Sequence, residues 1–100
     1  MSRANNVEHI TITASSDNST SGNLAVATSA TIEGIIIQNT SLNDCFVTWA
    51  VAAAPTVTSS HYELLAGANL EMDNHRFIYF SIINKSAGNN AAVRITANYR

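Results

Sequence analysis

A chain of 100 residues with net charge −2 and 46% hydrophobic residues has the size and composition of one folded domain. Charged residues supply only 12% of the sequence and its five basic residues are scattered, so a surface that neutralises a row of phosphates is excluded and no nucleic-acid partner is expected. Disorder is excluded as well, because disordered chains combine low hydrophobic content with high net charge.

The N-terminal residues are polar, and no apolar run of signal-peptide length follows them. We predict that residues 1–6 form a flexible arm and that residues 7–100 form a single β-sandwich domain. No stretch approaches the roughly 20 apolar residues of a membrane span. We therefore expect a protein of a soluble compartment with no membrane partner.

The first elements are a strand and a polar loop. Residues 7–13 alternate apolar and polar side chains with the period of a β-strand. Residues 14–23 are rich in Ser, Thr, Asn and Asp and are predicted to form a long loop that is either mobile or held by a partner. A weak strand or extended arm follows at 24–28.

The strongest early signal lies between residues 31 and 51. Residues 31–38 are predicted to form a strand, with Gly34 where a bulge or a close approach would suit. A polar turn at 39–44 leads to residues 45–51, which alternate again. We interpret this region as a β-hairpin.

The second half continues with short strands. Residues 52–55 are interpreted as a connection, because Pro55 and the β-branched residues after it leave no room for a stable helix. Short strands are predicted at 61–65 and 70–72, around a tight turn that contains Gly67.

The last two strands are predicted at 77–83 and 91–99, joined by a loop at 84–90. The segment Ile82-Ile83-Asn84-Lys85-Ser86 echoes Ile36-Ile37-Gln38-Asn39-Thr40-Ser41, which we interpret as the same hairpin design used twice. With about eight short strands and no helix, the predicted fold is all-β, an antiparallel β-sandwich or a jelly roll.

Side chains that carry catalysis or bind metals show no pattern. His9, His61 and His75 lie far apart and lack the short, regular spacing typical of metal ligands. The single cysteine, Cys45, lies in an apolar run, which predicts a buried structural thiol rather than a nucleophile. We therefore expect no catalytic residue, no metal, no cofactor and no enzymatic activity.

The aromatic residues allow two interpretations. They can stack on sugars, as in a glycan-binding module, or they can pack in the core. We expect Trp49 and Phe80 to be interior and Tyr62 and Tyr79 to be surface contacts.

The order of segments from residue 31 to residue 100 resembles that of small structural proteins of tailed bacteriophages, especially capsid decoration or cement proteins. The segments that carry this resemblance are Ile35-Ile36-Ile37-Gln38-Asn39-Thr40-Ser41, Cys45-Phe46-Val47-Thr48-Trp49, Thr58 to Glu63, Leu65-Ala66-Gly67-Ala68-Asn69-Leu70, Phe77-Ile78-Tyr79-Phe80-Ser81-Ile82 and Ala92-Val93-Arg94-Ile95-Thr96-Ala97-Asn98-Tyr99. Where those proteins often have Pro-Gly, this chain has Ala66-Gly67.

The resemblance implies a non-catalytic, cofactor-free protein on the virion surface, assembled in the host cytoplasm, that binds major capsid subunits, commonly as a homotrimer. Another virion part, such as a head-to-tail connector or a tail-fibre component, and a small glycan-binding module remain alternatives. Contacts with the partner are expected from the polar arm, the polar loop and the surface tyrosines, through Arg3, Asn5, Asp17, Asn18, Tyr62 and Tyr79.

Overall fold

The computed structural model describes residues 6–14, 18–24, 31–73, 78–85 and 89–99. Its strands are β1 (Asn6–Ala14), β2 (Thr20–Asn23), β3 (Ile32–Asn39), β4 (Cys45–Ala50), β5 (Tyr62–Leu64), β6 (Asn69–Asp73), β7 (Tyr79–Asn84) and β8 (Ala91–Tyr99). The predicted all-β fold of about eight strands is confirmed. No helix in the described part of the chain is long and apolar enough to span a membrane.

The strands form two antiparallel four-stranded sheets. The first sheet has the order β1-β8-β3-β6 and the second has the order β2-β7-β4-β5. The chain changes sheet at every connection except the one between β4 and β5, which pair with each other. This order is that of a jelly roll, in which two Greek keys build a double-sheet sandwich.

Strand β8 shows why this sequence forms a sandwich. Val93, Ile95 and Ala97 point into the core and are buried, whereas Arg94 and Asn98 point outward and are exposed. Because side chains alternate between the two faces of a strand, one face of the sheet is dry and the other is wet. The strand has the bounds and the faces predicted from the sequence.

Strand β3 contains the predicted irregularity. Ile32 and Ile35 are both buried although they are three positions apart, which would place them on opposite faces of a regular strand. The pairing of β3 with β8 shifts register between Ile32 and Gly34. This bulge turns both isoleucines inward, and the bulge predicted at Gly34 is confirmed.

The core lies between the sheets. Phe80 is buried, as predicted, and Trp49 is partly buried against the core. The buried side chains that form it are Ile12, Ala14, Leu24, Ile32, Ile35, Ile37, Cys45, Val47, Leu64, Phe80, Ile82, Ala91, Val93, Ile95 and Ala97. Burial of this apolar surface is the main favourable contribution to folding.

The predicted hairpins are wrong. Strands β3 and β4 do not pair, because they lie in different sheets and the turn at 40–44 carries the chain across the core. The same is true of β7 and β8. Both pairs are sheet-to-sheet crossings, which alternation along one strand does not distinguish from a hairpin.

The polar loop predicted at 14–23 is shorter than expected. Its last four residues form β2 and pair with β7. A Cβ atom at Gly22 would lie only 3.0 Å from Cγ1 of Ile12, so glycine allows the backbone of β2 to approach β1 closely.

The connection between β4 and β5 covers the outer face of the second sheet. Ser81 points outward, since its neighbours in β7 point inward, yet it is buried and its hydroxyl donates to the carbonyl oxygen of Pro55 (2.6 Å). Val57 is also buried, and its amide donates to the Ser19 hydroxyl (3.1 Å). The connection predicted here is therefore packed against the sheet.

Candidate functional site: the loop end of the sandwich

The strand register brings the connections after β1, β3, β5 and β7 to the same end of the sandwich. We call the described residues of these connections (18–19, 40–44, 65–68, 85 and 89–90) the loop end. Loops at one end of a rigid sandwich commonly carry binding function, because the sheets fix their positions.

Asn39, the last residue of β3, organises the loop end. Its buried side chain donates through Nδ2 to the carbonyl oxygens of Asn43 (2.8 Å) and Leu64 (3.0 Å). Its Oδ1 accepts from the Ser41 amide (3.0 Å) and the Ser41 hydroxyl (2.7 Å). One amide group thereby ties the β3–β4 turn to the end of β5, and leaving such buried partners unpaired would cost free energy.

The backbone of Asn39 fixes the next loop. Its amide donates to the Ala68 carbonyl (2.9 Å), and its carbonyl accepts from the Gly67 amide (3.1 Å). The Ala68 amide also donates to the Leu65 carbonyl (2.9 Å), which closes a tight turn. Gly67 has φ +77°, the left-handed value that a type II turn needs at its third residue, so the tight turn predicted here is confirmed.

Asp44 and Asn43 connect the loops to one another. The Asp44 carboxylate accepts from the Ala66 amide (2.8 Å), and the Asp44 carbonyl accepts from the Lys85 amide (3.0 Å). Asn43 donates through Nδ2 to the Asn90 carbonyl (2.7 Å). Three of the four connections are therefore joined by hydrogen bonds that come from the single turn between β3 and β4.

The two similar segments that begin at Ile36 and Ile82 also correspond in structure. The equivalent residues are Asn39 and Asn84, which is one position away from the sequence alignment, where Asn84 faces Gln38. Asn84, at the end of β7, is buried as Asn39 is at the end of β3. Its Nδ2 donates to the Asn89 carbonyl in the following loop, as that of Asn39 does to Asn43. In each sheet, therefore, one strand ends at a buried asparagine whose side chain bonds the connection that leads to the other sheet.

Two leucines project from these fixed loops. Leu42 is 95% exposed and Leu65 is 54% exposed. Leu42 lies between two turns closed by side chains, since the Ser41 amide donates to Asn39 Oδ1 and the Asn43 amide donates to the Ser41 hydroxyl (3.4 Å). A single exposed leucine is ordinary. Here two exposed leucines lie at the same end of the sandwich, on loops that hydrogen bonds join to each other.

The charged side chains at and beside the loop end are Lys85, Glu63 and Asp44. The Lys85 ammonium lies 2.6 Å from Oε2 of Glu63, and this hydrogen-bonded carboxylate raises the pKa of Lys85. The Asp44 carboxylate is occupied by the Ala66 amide. Lys85 and Glu63 compensate one another, whereas Asp44 keeps its negative charge because a neutral amide donor does not neutralise a carboxylate.

Cys45 does not contribute a reactive group. Its side chain is 0% exposed, which confirms the predicted burial. Burial, and to a lesser extent the neighbouring Asp44 charge, raise the pKa of the Cys45 thiol to about 11. The thiol is therefore protonated at neutral pH, and the thiolate is the nucleophilic form.

The histidines are not brought together as a metal site in the described residues. His9 is exposed on the outer face of β1, and His61 accepts a hydrogen bond at Nδ1 from the Thr58 amide (2.9 Å). His75 lies outside the described residues. Over the described ranges there is no group of three metal-binding side chains and no ligand-sized cavity.

The predicted contact residues fall in different places. Arg3, Asn5 and Asp17 lie outside the described residues. Asn18 is exposed at the loop end, where its carbonyl accepts from the Thr20 hydroxyl (3.3 Å).

The two tyrosines do not form one surface. Tyr62 is 47% exposed and pairs with Val47, a core residue, so it projects on the inner side of the second sheet at its edge. Tyr79 is half-buried and pairs with Ala50 on the outer side.

The sequence pattern does not predict the exposure of Leu42 and Leu65 or the role of Asn39. One signal was available for Leu42, because it is the single apolar residue within the polar turn Asn39-Thr40-Ser41-Leu42-Asn43-Asp44. No comparable signal marks Asn39, since its long-range partner Leu64 is brought near only by the fold.

No family model matches the chain, and no curated protein matches it. Among solved structures, the chain is similar to a protein from Bacillus endospore appendages, described as a novel family of disulfide-linked pili. The TM-score is 0.57 at 12% sequence identity, and the match covers 96% of this chain and 86% of that chain. At this identity the likeness shows a shared β-sandwich fold and no more.

Proposed function

We propose that this chain is a non-catalytic structural subunit that binds other proteins in a repeating assembly. The observation that carries the proposal is the pair of exposed leucines, Leu42 and Leu65, on loops held in place by the buried Asn39. Binding through ordered loops avoids the conformational entropy that a mobile loop loses when it meets a partner, and this raises affinity.

The form of assembly that the sequence resemblance favours is a virion capsid. In this proposal the chain decorates the shell by binding major capsid subunits, as a homotrimer on the virion surface and without a cofactor. Each contact through two leucines is small, but contacts repeated over a shell gain strength through multivalency. The two exposed leucines suit a contact that persists when the salt concentration changes, because salt screens charges and not apolar contacts.

A second candidate is a subunit of a surface filament, which the fold likeness to a protein of disulfide-linked pili favours. The disulfide links would not carry over, because Cys45 is the single cysteine and it is buried in the core. A filament of this chain would therefore be held by non-covalent contacts. Both candidates bind through the loop end. They differ in the neighbouring molecule, which is a major capsid subunit in the first and another filament subunit in the second.

To test the proposal, tagged protein is expressed in the source organism. Particles, sheared appendages and soluble protein are then separated on a density gradient. Wild type is compared with L42D, which adds a charge to the loop end, and with N98D, which adds the same charge to the exposed outer face of β8. Each variant is first checked for an unchanged Tm.

We expect wild type and N98D to sediment with particles or with appendages, as seen by electron microscopy, and L42D to remain in the soluble fraction. Particles would support capsid decoration, and appendages would support the filament subunit. Wild type that stays soluble throughout, or L42D that sediments as wild type does, would contradict a structural role through the loop end.

A further inference from the structure

The first sheet ends in two strand edges that can take a further strand. Within the described part of the chain, β1 pairs only with β8 and β6 pairs only with β3. A strand directs backbone N–H and C=O groups to both of its sides. The outer edges of β1 and β6 therefore present rows of hydrogen-bonding groups to which an extended segment can pair.

Strand β1 is the longest of the edge strands. It has nine residues, whereas β6, β2 and β5 have five, four and three. Its ladder with β8 runs through nine pairs without a shift of register, and it contains neither lysine nor proline. Natural proteins use bulges, those two residues and inward charges to block free edges. The inward charge of β1, Glu8, lies near its start, which leaves residues 9–14 flat and accessible to pairing.

Apolar side chains at both edges are incompletely covered. Ile10 faces inward as Ile12 does, yet Ile12 is buried and Ile10 is only partly buried. On β6, Leu70 and Met72 pair with the core residues Ile37 and Ile35 and so face inward, and both are only partly buried. A strand added at either edge would bury more of this apolar surface.

The directions of the two edges suit pairing between copies. The four strands of this sheet alternate in direction, so β1 and β6 run antiparallel to each other. A second copy in the same orientation can therefore place its β1 beside the β6 of the first copy and form an antiparallel pair. The sheet then continues from one copy into the next.

One register matches the inward side chains of the two edges. When β6 of one copy lies against residues 9–13 of β1 in the next copy, Met72 stands opposite Ile10 and Leu70 stands opposite Ile12. All four side chains face the core side of the sheet. A register shifted by one residue would place each of these side chains opposite a residue that faces outward.

The same register makes the charges of the two edges complementary. The acidic residues of β6, Glu71 and Asp73, stand opposite Thr11 and His9. Arg94 is exposed on the same outward face and pairs with Thr11 within its own copy, so its positive charge lies one strand away from Glu71 of the neighbouring copy. Glu8 lies outside the paired span and faces inward. Opposite charges at such cross-strand positions stabilise a pair of strands.

We propose that β6 of one copy pairs with β1 of a second copy, so that the first sheet runs through both. This inference rests on the proposed structural function and adds a contact made by the sides of the sandwich, which leaves the loop end free for the partner proposed above. Because the two edges differ, the contact is heterologous. It builds a ring, such as a trimer, when the rotation between copies closes, and an open filament when it does not.

The length of β6 limits the strength of one contact. Five residues of β6 can pair, whereas a standard stable interface uses about 20–30 residues on each side. A single contact is therefore weak, and association depends on high local concentration or on repetition in an assembly. The dilute protein is expected to be largely monomeric.

Disulfide trapping tests this contact with two single variants, T11C and E71C. In the proposed register these positions are directly opposite each other, at a spacing that a disulfide can bridge. Within one copy they lie on opposite edges of the sheet, three strand spacings or roughly 14 Å apart, so an intramolecular disulfide cannot form. The native Cys45 is buried and stays unreacted in the folded protein.

The two variants are mixed at high concentration, oxidised mildly and separated on a non-reducing gel. The matched control is N98C mixed with E71C, because Asn98 is exposed on the same face of the sheet but lies on the interior strand β8. Unchanged Tm values for all three variants show that the fold is intact.

Pairing of β6 with β1 predicts a cross-linked dimer in the mixture of T11C with E71C, about tenfold more abundant than in the control. Each variant alone should stay largely monomeric. The double variant T11C/E71C should form either a ladder of oligomers or one closed species, and both support the contact. Cross-linking no greater than in the control, or dimers formed mainly by T11C alone, which would indicate pairing of β1 with β1, would overturn the proposal.

The gradient experiment separates this failure from failure of the proposed function. If wild type sediments with particles or appendages while T11C and E71C do not cross-link, the structural role stands and the pairing of edges is wrong. If wild type stays soluble while the cross-link forms, the pairing stands and the structural role is wrong. If wild type stays soluble and the cross-link is absent, both are wrong.

Discussion

Replacing Asn39 by alanine tests whether one buried amide holds the loop end. The substitution removes the two bonds donated to Asn43 and Leu64 and the two accepted from Ser41. Each bond is worth about 0.5–1.5 kcal/mol net. Because the partners in the turn are only partly buried and can bind water instead, we expect a loss of about 2–4 kcal/mol in the free energy of unfolding. For a domain of this size, that lowers Tm by roughly 10–30 °C.

The assay is urea denaturation followed by circular dichroism, with N98A as the control. Asn98 is an exposed asparagine on β8, and its replacement should change the free energy of unfolding by less than about 0.5 kcal/mol. A loss below about 1 kcal/mol for N39A, which is no more than one ordinary hydrogen bond, would refute the central role assigned to Asn39.

The variant N39D gives an independent check through pH. Its new carboxyl would keep the bonds from Ser41 but would face the carbonyl oxygens of Asn43 and Leu64, which accept from Nδ2 in the wild type. These acceptors favour the protonated form, so the folded protein binds a proton that the unfolded chain releases. Stability then falls as pH rises. N39D should therefore be closer to wild type at pH 4 than at pH 7, whereas the deficit of N39A should stay nearly constant.

Three further outcomes are expected. The Cys45 thiol, with its pKa raised to about 11, should react with a thiol reagent at pH 8 only as fast as the protein unfolds; fast reaction in native buffer would contradict its burial. G67A should cost about 1–2 kcal/mol in urea denaturation because of its positive φ, and G67N should cost less. The pKa of Lys85 is raised, so its pair with Glu63 stabilises the protein below pH 10.5, the ordinary pKa of lysine, and this stabilisation is lost as pH rises beyond that value. The Tm difference between wild type and K85M should therefore shrink in high salt and above pH 10.5. A constant difference would show that the pair does not act through charge.

Much of the strand content could be predicted because side-chain alternation is a local property. The bounds of β8 and the bulge in β3 follow from the order of apolar residues and from one glycine, Gly34. Strand pairing could not be predicted in the same way. Alternation shows which face of a strand is buried, but a hairpin and a crossing between sheets bury the same residues. For this reason the pattern around the polar turn 39–44 predicts a hairpin where the structure has a crossing between sheets.

Strand β2 and the loop end show a second limit. Thr20–Asn23 contains no large apolar residue, and it becomes a strand because β7 offers its backbone a partner. The exposure of Tyr62 could be expected from the partly polar side chain of tyrosine, but the position of the turn that carries Leu42 depends on Asn39 reaching Leu64. Contacts between residues distant in sequence decide both features, and a pattern in a short window does not contain them.

The pairing of the first strand with the last sets the order in which this protein can fold. Asn6 pairs with Tyr99, and the ladder continues to Ala14 and Ala91, so β1 has no place in its sheet until β8 has been synthesised. At about 5–20 residues per second, the ribosome takes roughly 5–20 s to reach Tyr99 after adding Asn6. During that time β1 exposes unpaired backbone and the alternating side chains of a pairing strand. The first sheet can therefore be completed only after β8 has been synthesised, and with pairings this distant in sequence we expect folding in milliseconds to seconds once that strand is available. A nascent chain that stalls before residue 91 would leave an aggregation-prone strand for chaperones to cover.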